Sequence, residues 1–220
     1  MSRSFASRPV TAHVAAPIIT PPAPGAAHAC NRIPDRRPDM PPDAFSFHIQ
    51  TIATPIGEML VVADEQQRLR ALGWADLRDR LQRQLAAHYG GTLTLRSGPT
   101  SAPAFASIRD SLHAYLEGKL DAIDSIPVET GGTPFQREVW EALRRIPAGT
   151  TLSYRDLATR IGRPKAVRAV GHANGANPIG VVVPCHRLIG SDGTLTGYAG
   201  GLRRKRWLLD HEAAAPRTTI

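Results

Sequence analysis

Proline placement sets the first limit on what this chain can fold into. Pro17, Pro21, Pro22, Pro24, Pro34, Pro38, Pro41 and Pro42 punctuate the opening 44 residues. Each lacks the amide proton that a helix or sheet ladder needs, and each fixes its own φ. Alanine and arginine fill the gaps with no apolar period, so residues 1–44 read as a disordered extension. Arg3 and Arg8 precede no compact apolar core, so the stretch does not read as a secretory leader. Folded structure is expected from Phe45 onward, which leaves enough chain for one large or two small domains. No apolar run approaches the ~20 residues of a membrane-spanning helix. The two cysteines, Cys30 and Cys185, are too few for a disulfide framework and point to a reducing, cytoplasmic setting.

Residues 45–130 read as a small α/β scaffold unit. Phe45, Phe47 and Ile49 alternate with polar residues, as in a half-buried strand. Gly57–Ala63 and Leu69–Trp74 flank the polar run Asp64-Glu65-Gln66-Gln67, the pattern of a hairpin. Leu77, Leu81, Leu85 and Tyr89 recur every four residues and predict an amphipathic helix. A second helix is expected over Ala104–Glu117, with Ile108, Leu112, Tyr115 and Leu116 inward and Pro103 before it. Nothing in this half has the arrangement of a catalytic site.

Residues 131–215 read as a second unit, and 216–220 as a tail. Gly131-Gly132 separates the halves. Thr133 caps a helix, with Pro134 at its first position and Gln136 placed to close a capping box. Val139, Leu143 and Ile146 form its buried stripe, and Pro147-Ala148-Gly149 ends it. Two short helices follow. Ser153 caps the first, on which Tyr154, Leu157 and Ile161 share a side. Gly162-Arg163 turns the chain, and Pro164 opens the second, expected over Lys165–Ala173. Helix, glycine turn, helix is the helix-turn-helix pattern. On the second helix Lys165, Arg168 and His172 share the outer face, beside the small Ala166 and Ala169.

The net charge of +8 is localised. From Pro134 to the end there are 14 Lys/Arg against 6 Asp/Glu, leaving 13 against 13 in the first part. A localised basic excess is the footprint of a polyanion partner, although a solvated basic surface gives the same count. The chemistry-bearing run follows the second helix. A turn at Asn174-Gly175-Ala176-Asn177-Pro178 leads to an expected strand, Ile179–Val183, and then to Pro184-Cys185-His186-Arg187. A cysteine ending an apolar strand can be inert core. Here His186 and Arg187 supply groups that favour thiolate, Pro184 fixes the backbone, and Gly190, Gly193, Gly197, Gly200 and Gly201 leave backbone open to a ligand. A free thiol, with a pKa of ~8.5, needs a base to act near neutrality, and the base needs an orienter. His186 is adjacent, and Trp207-Leu208-Leu209-Asp210-His211-Glu212 offers the carboxylate. The pattern alone gives a reactive cysteine beside a DNA-binding element and leaves the substrate open.

From Gly132 to Glu212 the chain resembles the O6-alkylguanine-DNA alkyltransferases, the methylated-DNA–protein-cysteine methyltransferases. The resemblance is carried by Gly132-Thr133-Pro134-Phe135-Gln136, Lys165-Ala166-Val167-Arg168-Ala169-Val170-Gly171, Asn177-Pro178, Pro184-Cys185-His186-Arg187, Gly197-Tyr198-Ala199-Gly200-Gly201 and Trp207-Leu208-Leu209-Asp210-His211-Glu212. It implies an α+β protein: a ribonuclease-H-like small α/β domain, then a mostly helical winged helix-turn-helix domain. It implies Cys185 as nucleophile and permanent alkyl acceptor, His186 as base through a bound water, and Glu212 as its orienter. Tyr154 would assist the guanine leaving group, and Asn177 would be the hinge asparagine. Arg168 would enter the stack in place of the flipped nucleotide, with Lys165, Ala166 and His172 on the same DNA-facing helix. Tyr198, Ala199 and Leu188 would wall the guanine pocket. The partner implied is double-stranded DNA carrying O6-alkylguanine, met by a monomer, with cooperative binding along DNA left open.

Some positions depart from the family pattern. Ala199 stands where some members have serine, and His172 where a small residue is more common. Arg203-Arg204-Lys205-Arg206 is unusually basic and reads as extra phosphate contacts. Some members hold zinc in the first domain, but Cys30 is the only upstream cysteine. No metal and no cofactor are therefore expected. A DNA-binding module without transfer activity and a thiol hydrolase for small substrates are the alternatives.

Overall fold

Strand-forming alternation in the first half builds one mixed sheet. A computed structural model describes residues 45–89, 93–97 and 103–214. The stretch 1–44, with Cys30, and the tail from 215 lie outside the described residues. Strands β1 (Phe45–Ile52), β2 (Met59–Ala63), β3 (Leu69–Trp74) and β4 (Leu93–Ser97) lie in the order β3-β2-β1-β4. β1–β2 and β2–β3 are antiparallel, and β4 joins β1 in parallel. A parallel neighbour needs a crossover, which helix α1 (Arg78–Tyr89) supplies from the Leu77, Leu81, Leu85, Tyr89 stripe. Leu81 and Leu85 bury it against Phe47, Ile49 and Leu60. The opposite face of the sheet meets α2 (Pro103–Leu116), where Ile108, Leu112 and Tyr115 are buried as their spacing predicts.

The second half is helical. α3 (Pro134–Arg144) starts on the expected capping box: Gln136 N–H donates to Thr133 Oγ1 at 3.2 Å, and Thr133 N–H donates to Gln136 Oε1 at 2.8 Å. β5 (Leu152–Ser153) leads into α4 (Tyr154–Arg160), capped by Ser153 and Asp156. α5 (Val167–Gly175) and, after β6 (Leu188–Ile189), α6 (Leu202–Ala214) complete the set. α5 begins two residues later than the sequence suggests. Ala166 N–H closes a turn on the Arg163 carbonyl, so Pro164-Lys165 are turn residues, and Ala166 offers no side-chain cap. β5 and β6 pair in parallel and bring the start of α4 beside the residues after Cys185.

The outer edge of β3 joins the halves. An exposed edge offers unpaired amides, and two segments cover this one. Leu69 exchanges backbone bonds with Pro127 and Glu129, and Leu72 with Pro178 and Gly180. The second pairing places β3 against the segment leading to Cys185.

Candidate active site

The segment before Cys185 is not the expected strand. It is two tight turns in succession. Val182 N–H donates to the Gly180 carbonyl, with Val181 between them at φ +67°. Positive φ strains a β-branched residue. Cys185 N–H then donates to the Val183 carbonyl at 2.7 Å across Pro184, whose φ −79° and ψ 64° are those of an inverse γ-turn. The apolar run reads as strand because Ile179, Val181, Val182 and Val183 are all buried. Burial of a turn inside the core produces the same residue types.

Asn177 holds these turns. Its Nδ2 donates to the Val183 carbonyl at 2.9 Å and the Ile179 carbonyl at 3.3 Å, while its Oδ1 accepts from Ile179 N–H at 3.0 Å. One buried amide thus satisfies three backbone groups of an irregular loop. A 3-10 turn (Cys185–Arg187) follows and buries all three of its side chains.

Two of the three converge on Glu212, while Cys185 faces the cavity. His186 Nε2 faces Glu212 Oε1 at 2.9 Å. Arg187 also turns to Glu212, with Nε at 3.0 and 3.2 Å from the two oxygens and Nη2 at 2.8 Å from Oε1; its Nη1 donates to the Ile146 carbonyl. Glu212 further accepts from the Tyr115 hydroxyl at 2.7 Å and from Gly149 N–H at 3.1 Å. Burial raises the Glu212 carboxyl, but His186 and Arg187 outweigh it and hold the group well below the usual carboxylate range. Burial lowers His186, with the Arg187 and Lys205 charges adding to that effect against the pull of Glu212. With Arg187 neutralising Glu212, His186 stays a neutral imidazole. Its Nε2–H donates to the carboxylate, which leaves the lone pair on Nδ1. Nδ1 is buried with no hydrogen-bond partner among the described residues. A buried acceptor without a partner is costly, so this nitrogen is placed to take a proton.

Cys185 is 6% exposed. Burial raises its thiol pKa, countered by an Asn177 amide N–H, the Lys205 charge and nearby backbone N–H groups. The expectation that Arg187 favours the thiolate is corrected, because its guanidinium is committed to Glu212. Lys205 takes that place. It is fully buried within the basic run, and its Nζ donates to the Leu188 and Thr196 carbonyls at 2.5 Å each. Burial lowers the Lys205 pKa to about 8. The phosphate-contact expectation for the run fails for Lys205 and weakens for Arg204, which stacks on Trp74 and pairs with Asp76. Arg203 and Arg206 remain exposed.

A cavity of about 40 Å³ holds Cys185 together with Asn177, Tyr198 and Ala199 from the second half and Leu72, Trp74 and Leu77 from the first. Leu188 is corrected out of the pocket: it is fully buried core, its N–H donates to the Cys185 carbonyl, and its own carbonyl accepts from Lys205. Tyr154 borders the glycine-rich segment, where a Cβ at Gly197 would lie 3.9 Å from its hydroxyl. Lys165, Arg168 and His172 are exposed and form no ion pair among the described residues, and Ala166 is half-buried. Sequence reasoning missed Tyr115 and Lys205. A buried tyrosine hydroxyl announces that it needs a partner, but nothing in the Tyr115 stripe says that the partner is Glu212.

Among the described residues no cluster of His, Cys, Asp or Glu could hold a metal ion, and no helix is long and apolar enough to cross a membrane. The DNA binding domain model of the 6-O-methylguanine DNA methyltransferases matches residues 134–214, and the model of their ribonuclease-like domain matches residues 48–130. The chain belongs to the 6-O-methylguanine DNA methyltransferase family. A methylated-DNA–protein-cysteine methyltransferase of Salmonella typhimurium is 55% identical over 163 residues, covering 74% of this chain and 94% of that protein. One from Haemophilus influenzae is 48% identical over 110 residues, covering 50% and 62%. The crystal structure of Mycobacterium tuberculosis OGT in complex with DNA is similar at a TM-score of 0.62 and 40% identity, over 77% of this chain and 96% of that one. The mixed-sheet first domain and helical second domain are those of this family.

Proposed function

We propose that this chain repairs DNA by direct reversal, moving an alkyl group from O6 of guanine in duplex DNA to Cys185. The observation that carries this reading is a buried cysteine on a cavity wall, next to a histidine whose Nε2 is fixed by a carboxylate and whose Nδ1 is free, all within a helix-turn-helix domain of this family. His186 Nδ1 takes the thiol proton through a water. Sγ attacks the alkyl carbon, the carbon–O6 bond breaks, and the proton passes to the departing guanine, assisted by Tyr154. The product is a thioether. No group in the site restores the thiol, so each molecule acts once.

Cys185 lies inside the protein, so a guanine stacked in a duplex cannot reach it. The base has to leave the helix, at a cost of a few kcal/mol. Arg168, exposed on α5, fills the gap it leaves, and Lys165, Ala166 and His172 meet the surrounding minor groove, where degenerate readout suits a search for damage in any sequence. Tyr198 and Ala199 bound the guanine. The protein acts as a monomer. The test is mass spectrometry of the Cys185 peptide after exposure to duplex carrying O6-methylguanine. Gain of one methyl per protein is expected. An unmodified cysteine after complete exposure removes the reading, and multiple turnover replaces it with hydrolysis.

A further inference from the structure

One wall of the Cys185 cavity comes from the other domain, and its largest side chain is pinned. Trp74 ends β3 and is 5% exposed. The Arg204 guanidinium lies 4.3 Å from the centre of its ring. Arg204 is itself anchored, donating to the Ile56 carbonyl at 3.1 Å and to Asp76 at 3.0 Å. The Trp74 indole N–H interacts with the Tyr198 hydroxyl, and both rings line the cavity with Cys185. Gly200 records how tight this corner is. A Cβ there would stand 2.2 Å from the indole nitrogen and 2.7 Å from the Tyr198 ring, so neighbouring rings exclude any side chain at that position.

We propose that Trp74 sets the upper size limit on the group that can reach Cys185. As a statement about alkylguanine choice this rests on the proposed function; as a statement about access to the sulfur it does not. A water needs ~10–15 Å³, so a 40 Å³ cavity takes a few waters and no purine. Any reacting group must therefore displace a wall. The walls from the second domain are short loops tied by Asn177 and by the backbone beside Cys185. The remaining walls are the end of β3 and the start of α1, with Trp74 the largest side chain among them. There a cation–π stack resists displacement of the indole, and Tyr198 is held through it. The displacement required grows with the group: a methyl asks least of the β3 end, whereas a bulky group requires Trp74 to move.

Two rate ratios on Cys185 test this in the full chain. One compares O6-benzylguanine with O6-methylguanine, and the other compares N-benzyl iodoacetamide with iodoacetamide. Trp74→Leu should raise both bulky-to-small ratios by roughly tenfold or more, the effect of changing a few methylenes in an apolar pocket. Trp74→Phe, which keeps a ring but loses the N–H, should raise them less. If Trp74→Leu does not fold, Arg204→Leu releases the ring without removing it and should give an intermediate rise. Unchanged ratios in folded variants overturn the proposal. If the iodoacetamide ratio shifts but no alkylguanine reacts, the proposed function fails and the size limit stands. If methyl transfer proceeds while both ratios stay flat, the reverse holds.

Discussion

The second domain carries two sets of cations that a charge count cannot separate. Lys165, Arg168, Arg203 and Arg206 are exposed. Arg187 and Lys205 are buried, one on Glu212 and the other on two backbone carbonyls. Three of these residues stand within one run of four, Arg203–Arg206, and that run divides between surface and interior according to the turn of α6. The outer set can meet phosphate. The inner set fixes protonation states: Arg187 keeps Glu212 ionised and His186 neutral, and Lys205 balances a thiolate on Cys185. The basic excess in this half is thus partly internal machinery, and the charge left for DNA is smaller than the sequence total.

The sharpest way to break this distinction is Arg187→Met. Removing one member of a buried ion pair leaves the other uncompensated, at about 3–5 kcal/mol. A loss of that size should appear in urea unfolding, and a loss below about 1 kcal/mol would place Arg187 with the surface set. The pH dependence has a definite sign. Glu212 titrates below its ordinary 4.5 and His186 below its ordinary 6.5. In both cases the unfolded chain binds more protons as pH falls, so their stabilisation is complete above about 6.5 and is lost progressively below it. Glu212→Gln should flatten the lower part of that curve.

Lys205→Met comes next. Without the ammonium the thiol should become a weaker acid. A rise of one pKa unit lowers the thiolate fraction roughly tenfold. Thiolate absorbance against pH reads this directly, and iodoacetamide reactivity at neutral pH should fall in step. In the wild type the assistance should fade as pH rises through about 8, where Lys205 loses its proton. A pH–reactivity profile identical in the two proteins would mean that Lys205 serves only its two carbonyls.

How much of this was legible in the sequence follows from how local each feature is. The Thr133–Gln136 capping box, the β2–β3 hairpin and the exposed Arg168 face depend on residues within one or two turns of each other, and their spacing announces them. Cys185 and His186 are legible from the pattern and Glu212 as their orienter from the family resemblance, and the geometry brings His186 and Glu212 together. Tyr115 and Trp74 were not legible as site residues. Each reads correctly as core, and its approach to Glu212 or Cys185 depends on how two domains pack. The γ-turns at Val181 and Pro184 were misread as strand, because a buried turn and a buried strand draw on the same apolar residues. Lys205 was misread because its neighbours are surface cations, and a run of like residues hides the one that α6 turns inward.

Arg168→Ala tests the role proposed for the outer set in base extrusion. If the guanidinium offsets part of the cost of extruding the nucleotide, its loss should slow repair in duplex by roughly tenfold or more, since each 1.4 kcal/mol is a factor of ten and extrusion costs a few kcal/mol. Reaction with free O6-benzylguanine, which needs no extrusion, should be nearly unaffected. Equal losses on both substrates would assign Arg168 to the fold and not to the DNA.

The smallest effect expected is also the cleanest division of the Arg203–Arg206 run. A cation that neutralises one phosphate contributes about −0.9 to the slope of log binding constant against log salt. Arg203→Ala and Arg206→Ala, measured by fluorescence anisotropy on undamaged duplex, should each flatten the slope by up to that amount, because both side chains are exposed. Arg204→Ala should leave the slope unchanged, because its guanidinium lies on Trp74 and Asp76. A flattened slope for Arg204→Ala would show that its stacking contact opens when DNA binds. Flat results for Arg203 and Arg206 would confine the phosphate contacts to α5 and the turn before it.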